Sequence, residues 1–241
     1  MDWTRAKTIL IAALLMTNLF LIFLYVSSDG TDEVEIGKAD VKALLEEKNI
    51  FLETEIPDAF PDPDALTVNH TEFKEDEIAA LTEALKPVPA GSTDREYVKA
   101  ANEFFEYMGL SGEYLFCSDV EKSGDTVVLH YKTQVKGINV EASYMTCTFE
   151  DNRIQSVSGN WFEPQRFSKK KFENFLAVEA LLSFVSDRPA EGPITINAIE
   201  PVYWIGDEYN EAVGGFSVTA LPAWKITYNG EKIVYIDAFK V

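Results

Sequence analysis

Cysteine, histidine and basic residues are scarce in this chain, and each scarcity removes a class of function. The two cysteines, Cys117 and Cys147, are too few for a disulfide framework in a chain of 241 residues. Each lies in a strand-like run, where a cysteine serves as a small buried hydrophobe, so two free buried thiols are expected. The two histidines, His70 and His130, belong to no H-E-x-x-H motif, and neither C-x-x-C nor G-x-S-x-G occurs. Zinc hydrolysis and serine-hydrolase chemistry therefore have no recognisable constellation. His130 falls in an alternating run and reads as an outward-facing sheet residue; His70 follows a proline loop and reads as solvated. Ser168 and Lys171 fit S-x-x-K, but S-D-N and K-T-G are missing, so Ser168 reads as a helix cap. No glycine-rich phosphate cradle is present. No residue is assigned to catalysis, to a cofactor or to a metal, and the chain is expected not to be an enzyme. Lys and Arg number 21 against 40 Asp and Glu, a net charge of −19 that argues against nucleic acid as a partner.

Charge is absent altogether from residues 8–26, an apolar run of 19 residues. As a helix rising about 1.5 Å per residue it just crosses a ~30 Å hydrocarbon core. Arg5 and Lys7 precede the run, while Asp29, Asp32, Glu33 and Glu35 follow it. The positive-inside rule then puts residues 1–7 in the cytoplasm as a short tail and everything after residue 26 outside, on a single-pass anchor in the cell membrane. A cleaved signal peptide is the competing reading. The apolar core is longer than a signal h-region and lacks an Ala-x-Ala site, which favours the uncleaved anchor. Trp3 and Tyr25 bracket the run as interface aromatics, and Asn18 sits near its middle, where an amide can hydrogen-bond to another helix. Asp2, Arg5 and Lys7 lie before the run, leaving 39 acidic against 19 basic residues outside. Such a surface repels anionic headgroups, so the domain is expected to stand off the membrane.

Residues 27–91 read as a linker followed by a helical and extended segment. A helix at 38–48, an extended piece at 50–56, a proline-rich acidic loop at 57–64 and a helix at 75–86 are expected. The loop lacks calcium-site spacing. Thr93 and Glu96 form a capping box, and Tyr97, Ala100, Ala101, Phe104, Phe105 and Met108 make one continuous apolar helical stripe. Strands at 113–121, 125–133, 138–150 and 153–161 complete a helix-then-sheet unit over residues 92–165. The order recurs over residues 166–241. A helix at 169–186, with Phe172, Phe175, Leu176, Leu181, Leu182 and Val185 on its apolar face, leads into strands at 194–205, 216–228 and 231–241. Asn229-Gly230 marks a hairpin, and the last strand, apolar on both faces, suggests a central strand or an interface. The fold class is α+β, with antiparallel sheets.

The amino terminus, Met1-Asp2-Trp3-Thr4-Arg5-Ala6-Lys7-Thr8-Ile9 running into an anchor with Asn18, Leu19 and Phe20, resembles the YycI family. The carboxy-terminal runs Pro222-Ala223-Trp224-Lys225-Ile226, Asn229-Gly230 and Tyr235-Ile236-Asp237-Ala238-Phe239 are similar to it too, and to PepSY-type hairpins more generally. The resemblance implies a YycH/PepSY-like fold and a partner in place of a substrate. YycI-like proteins act with a YycH-like protein on the WalK sensor histidine kinase, partly through transmembrane helices, in the two-component system that controls cell-wall metabolism in Gram-positive bacteria. Transposed to this chain, the helix contact would use Ala12, Ala13, Thr17 and Asn18. The alternative reading is a PepSY-type modulator or inhibitor of a secreted peptidase.

Overall fold

The computed structural model describes residues 37–61, 64–168, 173–186, 192–206 and 216–240. The chain divides into two compact units, residues 1–41 and 42–241. The described part of the first is the opening of helix α1 (Lys38–Glu47), where the Asp40 N–H donates to the Gly37 carbonyl at 2.8 Å. The expected span at residues 8–26 lies outside the described residues, and among the described residues no helix is long and apolar enough to cross a membrane.

The second unit is α+β, as expected. Helix α2 (Glu75–Ala84) stops two residues short of the expected end, because Pro87 disfavours helical backbone at Lys86. Helix α3 (Asp94–Tyr107) carries the capping box: the Thr93 N–H donates to Glu96 Oε2 at 2.7 Å and the Thr93 hydroxyl donates to the same oxygen at 3.0 Å. These bonds hold the Glu96 carboxyl below its usual pKa. Tyr97, Ala101, Phe104 and Phe105 of α3 are buried against a meander of β3 (Leu115–Ser123), β4 (Thr126–Val135), β5 (Ile138–Glu150) and β6 (Arg153–Phe167). Their partners are Leu129, Tyr131, Met145, Cys147, Phe149 and Trp161, with Tyr97 edge-on to Phe149 and Phe105 edge-on to Tyr131, both at 5.2 Å. Each of the large apolar side chains among them, Phe104, Phe105, Leu129, Met145 and Phe149, contributes about 1.5–3 kcal/mol by leaving water. The opposite face of the meander is solvated, with exposed Phe116 and Tyr144 flanking Lys132 across three strands.

Strand β6 runs six residues beyond the expected end. Its extension pairs with β2 (Leu66–Thr71), a strand the sequence pattern did not suggest, and β2 pairs on its other side with β9 (Ser217–Tyr228). Because β2 carries His70, the solvated reading of that histidine is corrected. Its ring is half-buried, stacked on Phe216 at 5.4 Å and tilted against Phe162 at 5.2 Å.

The second helix-then-sheet stretch also departs from expectation at its start. Ser168 does not cap α4 (Ala177–Ser186): its N–H donates to the Ala65 carbonyl at 2.7 Å at the end of β6. Residues 169–172 lie outside the described residues, and a two-residue strand, β7 (Glu173–Asn174), pairs with β11 (Phe239–Lys240). The helix, α4 (Ala177–Ser186), begins where the Glu179 carboxylate accepts the Leu176 N–H at 2.7 Å, satisfying an orphan donor of the first turn. Its buried face is Ala177, Ala180, Leu181 and Phe184. Of the expected stripe Phe172 lies outside the described residues, and among the described ones only Leu181 is fully buried. Strand β8 (Ile194–Trp204) pairs antiparallel with β9, and β9 with β10 (Lys232–Asp237). Of the two readings of the last strand, a central strand or an interface, the first is corrected: among the described residues β10 pairs with β9 alone and is an edge strand, with Ile233 exposed.

Among the described residues two pairings are parallel. Strand β1 (Ile50–Leu52) lies along β8, and β5 meets β8 at Asn139–Val202 and Val140–Tyr203. The second contact closes a ring of strands, β5 to β6 to β2 to β9 to β8 and back to β5. Strands from both helix-then-sheet stretches thus share one sheet.

Candidate functional site

The four residues to which the sequence assigns an interaction, Ala12, Ala13, Thr17 and Asn18, lie outside the described residues. What the structure does bring together is a polar cluster at the point where the ring of strands closes.

Its origin is a local break in β5. Opposite Thr133 of β4 the ladder jumps from the Lys132–Tyr144 pair to the Gln134–Asn139 pair, so residues 140–143 bulge out of register. Ala142 takes a positive φ of 64°. The hole left in the ladder is filled by hydroxyls: Thr133 Oγ1 and Ser143 Oγ are 2.6 Å apart, the Thr133 hydroxyl donates to the Phe162 carbonyl at 3.1 Å, and the Phe162 N–H donates to Ser143 Oγ at 2.9 Å. Asn160 Nδ2 donates to the Ala142 carbonyl at 3.0 Å. Thr133, Ser143, Asn160 and Phe162 are buried, and each of these polar groups has a partner, as a buried polar network must.

The bulge carries Glu141 out of β5 toward the second group of strands. Lys225 Nζ of β9 lies 3.1 Å from both Glu141 carboxylate oxygens, and the Tyr235 hydroxyl of β10 donates to Oε2 at 3.0 Å. The Glu141 and Lys225 side chains are only 16% and 17% exposed, so the pair is poorly screened by solvent. The Trp204 ring stacks on Tyr235 at 5.3 Å with 13° between planes. Asp237, two residues along β10, has its pKa raised by burial. A carboxylate that accepts both a cation and a phenol from neighbouring strands clamps β5 to β9 and β10.

Glu163 is a second half-buried carboxyl. It accepts the Trp161 indole N–H and the Ser111 backbone N–H, each at 2.9 Å, and burial nevertheless pushes its pKa up. The protonated form is thus favoured in the folded state, so its stabilising contribution is present at acid pH and is lost as pH rises through the raised folded pKa. Relative to Glu163→Gln, the native chain is expected to lose stability as pH rises through and above the ordinary carboxylate range. Chemical-unfolding midpoints of the two proteins across that range measure the difference, and a constant difference contradicts the assignment.

The thiols are free. Cys147 is fully buried, whereas Cys117 is half-buried, and burial raises both pKa values, which keeps them protonated and unreactive. Strand β4 separates them, since Cys117 pairs with Tyr131 and Cys147 with Leu129. Two inter-strand steps of about 4.8 Å put them beyond disulfide reach. His130 sits on the solvent side of β4, 3.5 Å from Glu121. Among the described residues no three His, Cys, Asp or Glu side chains group as metal ligands would.

The sequence reading missed the Glu141–Lys225–Tyr235 cluster, although one signal for it exists. Buried residues of β5 fall at 138 and 140 and then at 143, 145, 147 and 149, a switch of parity that only a bulge allows. The chain matches no protein-family model, and no curated protein is significantly similar to it.

Proposed function

We propose that this chain is a membrane-anchored, extracytoplasmic accessory protein of the YycI type. With a YycH-like partner it modulates a WalK-like sensor histidine kinase and so cell-wall metabolism. The observation that carries the reading is the uncharged run at residues 8–26, with basic residues before it, acidic residues after it and a central Asn18. A recurring helix-then-sheet order after the anchor supports the YycH/PepSY-like architecture, and a strongly acidic exported part suits a protein that engages other proteins in preference to nucleic acid or headgroups.

The mechanism needs little energy. A helix that packs differently against two arrangements of a kinase helix shifts the kinase equilibrium by its differential affinity, and a few kcal/mol suffices. Asn18 supplies an interhelical hydrogen bond, and Ala12, Ala13 and Thr17 allow close backbone approach. Asn18→Leu and Ala13→Leu are each expected to weaken control of a WalR-dependent reporter in cells, with protein level unchanged. Native reporter output from both variants removes these residues from the mechanism.

A second reading, a PepSY-type modulator of a secreted peptidase, is favoured by the stable, acidic, tethered domain. It predicts that the identity of the anchor is immaterial.

A further inference from the structure

A cavity of about 320 Å³ lies between the end of α2 and its following connector, α3, and the β5–β6 hairpin. Its size is at the lower end of sites that hold small molecules. Leu85, Ala100, Phe149 and Ile154 give it an apolar floor. The polar groups around that floor are mainly donors. Lys86 and Arg153 stand on the rim, and neither side chain has an ion-pair or hydrogen-bond partner among the described residues. Asn152 has its Oδ1 occupied by the Tyr97 hydroxyl at 2.6 Å and its carbonyl by the Val88 N–H at 2.9 Å, which leaves its Nδ2 group as the donor it can offer a ligand. The one acid on the rim, Glu103, is offset by Lys99 at 3.7 Å. In a chain with 40 acidic and 21 basic residues, two unpaired cations beside an apolar hollow are a departure from the surrounding charge.

We infer that this cavity binds a small amphipathic carboxylate, its apolar body on the Leu85–Phe149 floor and its carboxylate between Lys86 and Arg153. The chemistry is shared by a fatty acid and by the free carboxyl end of a short apolar peptide. A charge-assisted contact to two cations supplies the specificity, and the apolar floor supplies most of the affinity. The inference is independent of the kinase-regulator reading, since an extracytoplasmic protein of either proposed role can carry such a site.

The test is calorimetric titration of the full chain in lipid nanodiscs, referenced to empty nanodiscs, with four probes: octanoate, octanamide, N-acetyl-phenylalanine and its amide. A carboxylate is expected to bind and its amide to bind at least roughly tenfold more weakly. The Lys86→Gln/Arg153→Gln protein should lose about the same factor, while Lys132→Gln, on the solvated face of the meander, should not. Ala100→Phe fills the hollow and should abolish binding with the secondary structure retained by circular dichroism. Preference for octanoate assigns the lipid source, and preference for N-acetyl-phenylalanine the peptide source. Equal binding of acid and amide, binding indifferent to the double substitution, or no binding of either carboxylate overturns the inference.

Discussion

Gly159→Ala is expected to destabilise the protein by roughly 3–5 kcal/mol, a fall of about 10 °C or more in Tm for a domain of this size. Gly159 has a φ of 145°, a region that L side chains rarely adopt. A Cβ at this position would stand 2.3 Å from the Tyr144 carbonyl oxygen and 2.8 Å from the Met145 Cα. Both are backbone atoms of β5, so no rotamer change relieves the contact. The strain arises where it is most damaging: Asn160, the next residue, holds the bulge through the Ala142 carbonyl, and Trp161 and Phe162 beyond it are fully buried. Thermal unfolding followed by circular dichroism measures the effect, and a loss below 1 kcal/mol contradicts the account of the bulge.

The second large effect concerns the closure of the strand ring. Lys225→Met leaves the Glu141 carboxylate with only the Tyr235 hydroxyl, and Glu141→Gln leaves Lys225 without a counter-charge. Each substitution alone is expected to cost about 3 kcal/mol, because a poorly solvated charge loses its partner. The double substitution is expected to cost no more than either single one, since it removes both charges together. The double-mutant cycle, read from chemical-unfolding midpoints, should therefore return a coupling of about 3 kcal/mol or more. Simple additivity of the two losses would mean that the pair is solvated and that closure rests on the β5–β8 backbone contact alone.

These two sites mark where local pattern stopped being informative. Helix α3 was legible because its capping box and its 3.6-residue stripe are both local signals that agree. The meander was legible for the same reason. Gly137, Asp151 and Asn152 take positive φ as their residue types suggest, and alternation along β4 and β5 sets the strands. Strand β2 was not legible, because Leu66-Thr-Val-Asn-His-Thr71 offers only two buried apolar positions and owes its conformation to β6 and β9 on either side. Yet β2 joins the two groups of strands. The start of α4 was misplaced for a different reason. Ser168 followed by lysines reads as a cap, and nothing in the sequence tells that the chain continues from β6 to pair with Ala65. The two apolar faces of 231–241 suggested a central strand or an interface, but edge or centre depends on what lies beyond the strand, which is tertiary information. The Glu141–Lys225 pair joins residues 84 apart in sequence and could be seen only through the parity switch in β5.

The central claim is that the anchor is the output element, and the most direct test replaces it. In cells lacking this protein, WalR-dependent transcription is compared after complementation with the native chain and with a chain whose residues 8–26 are a poly-Leu span of equal length. Membrane insertion and protein level are verified for both. The account predicts that only the native anchor restores control, because leucine preserves the span and removes the Asn18 amide and the small residues. Equal restoration by the two chains would place the regulation in the extracytoplasmic domain and contradict the transmembrane mechanism.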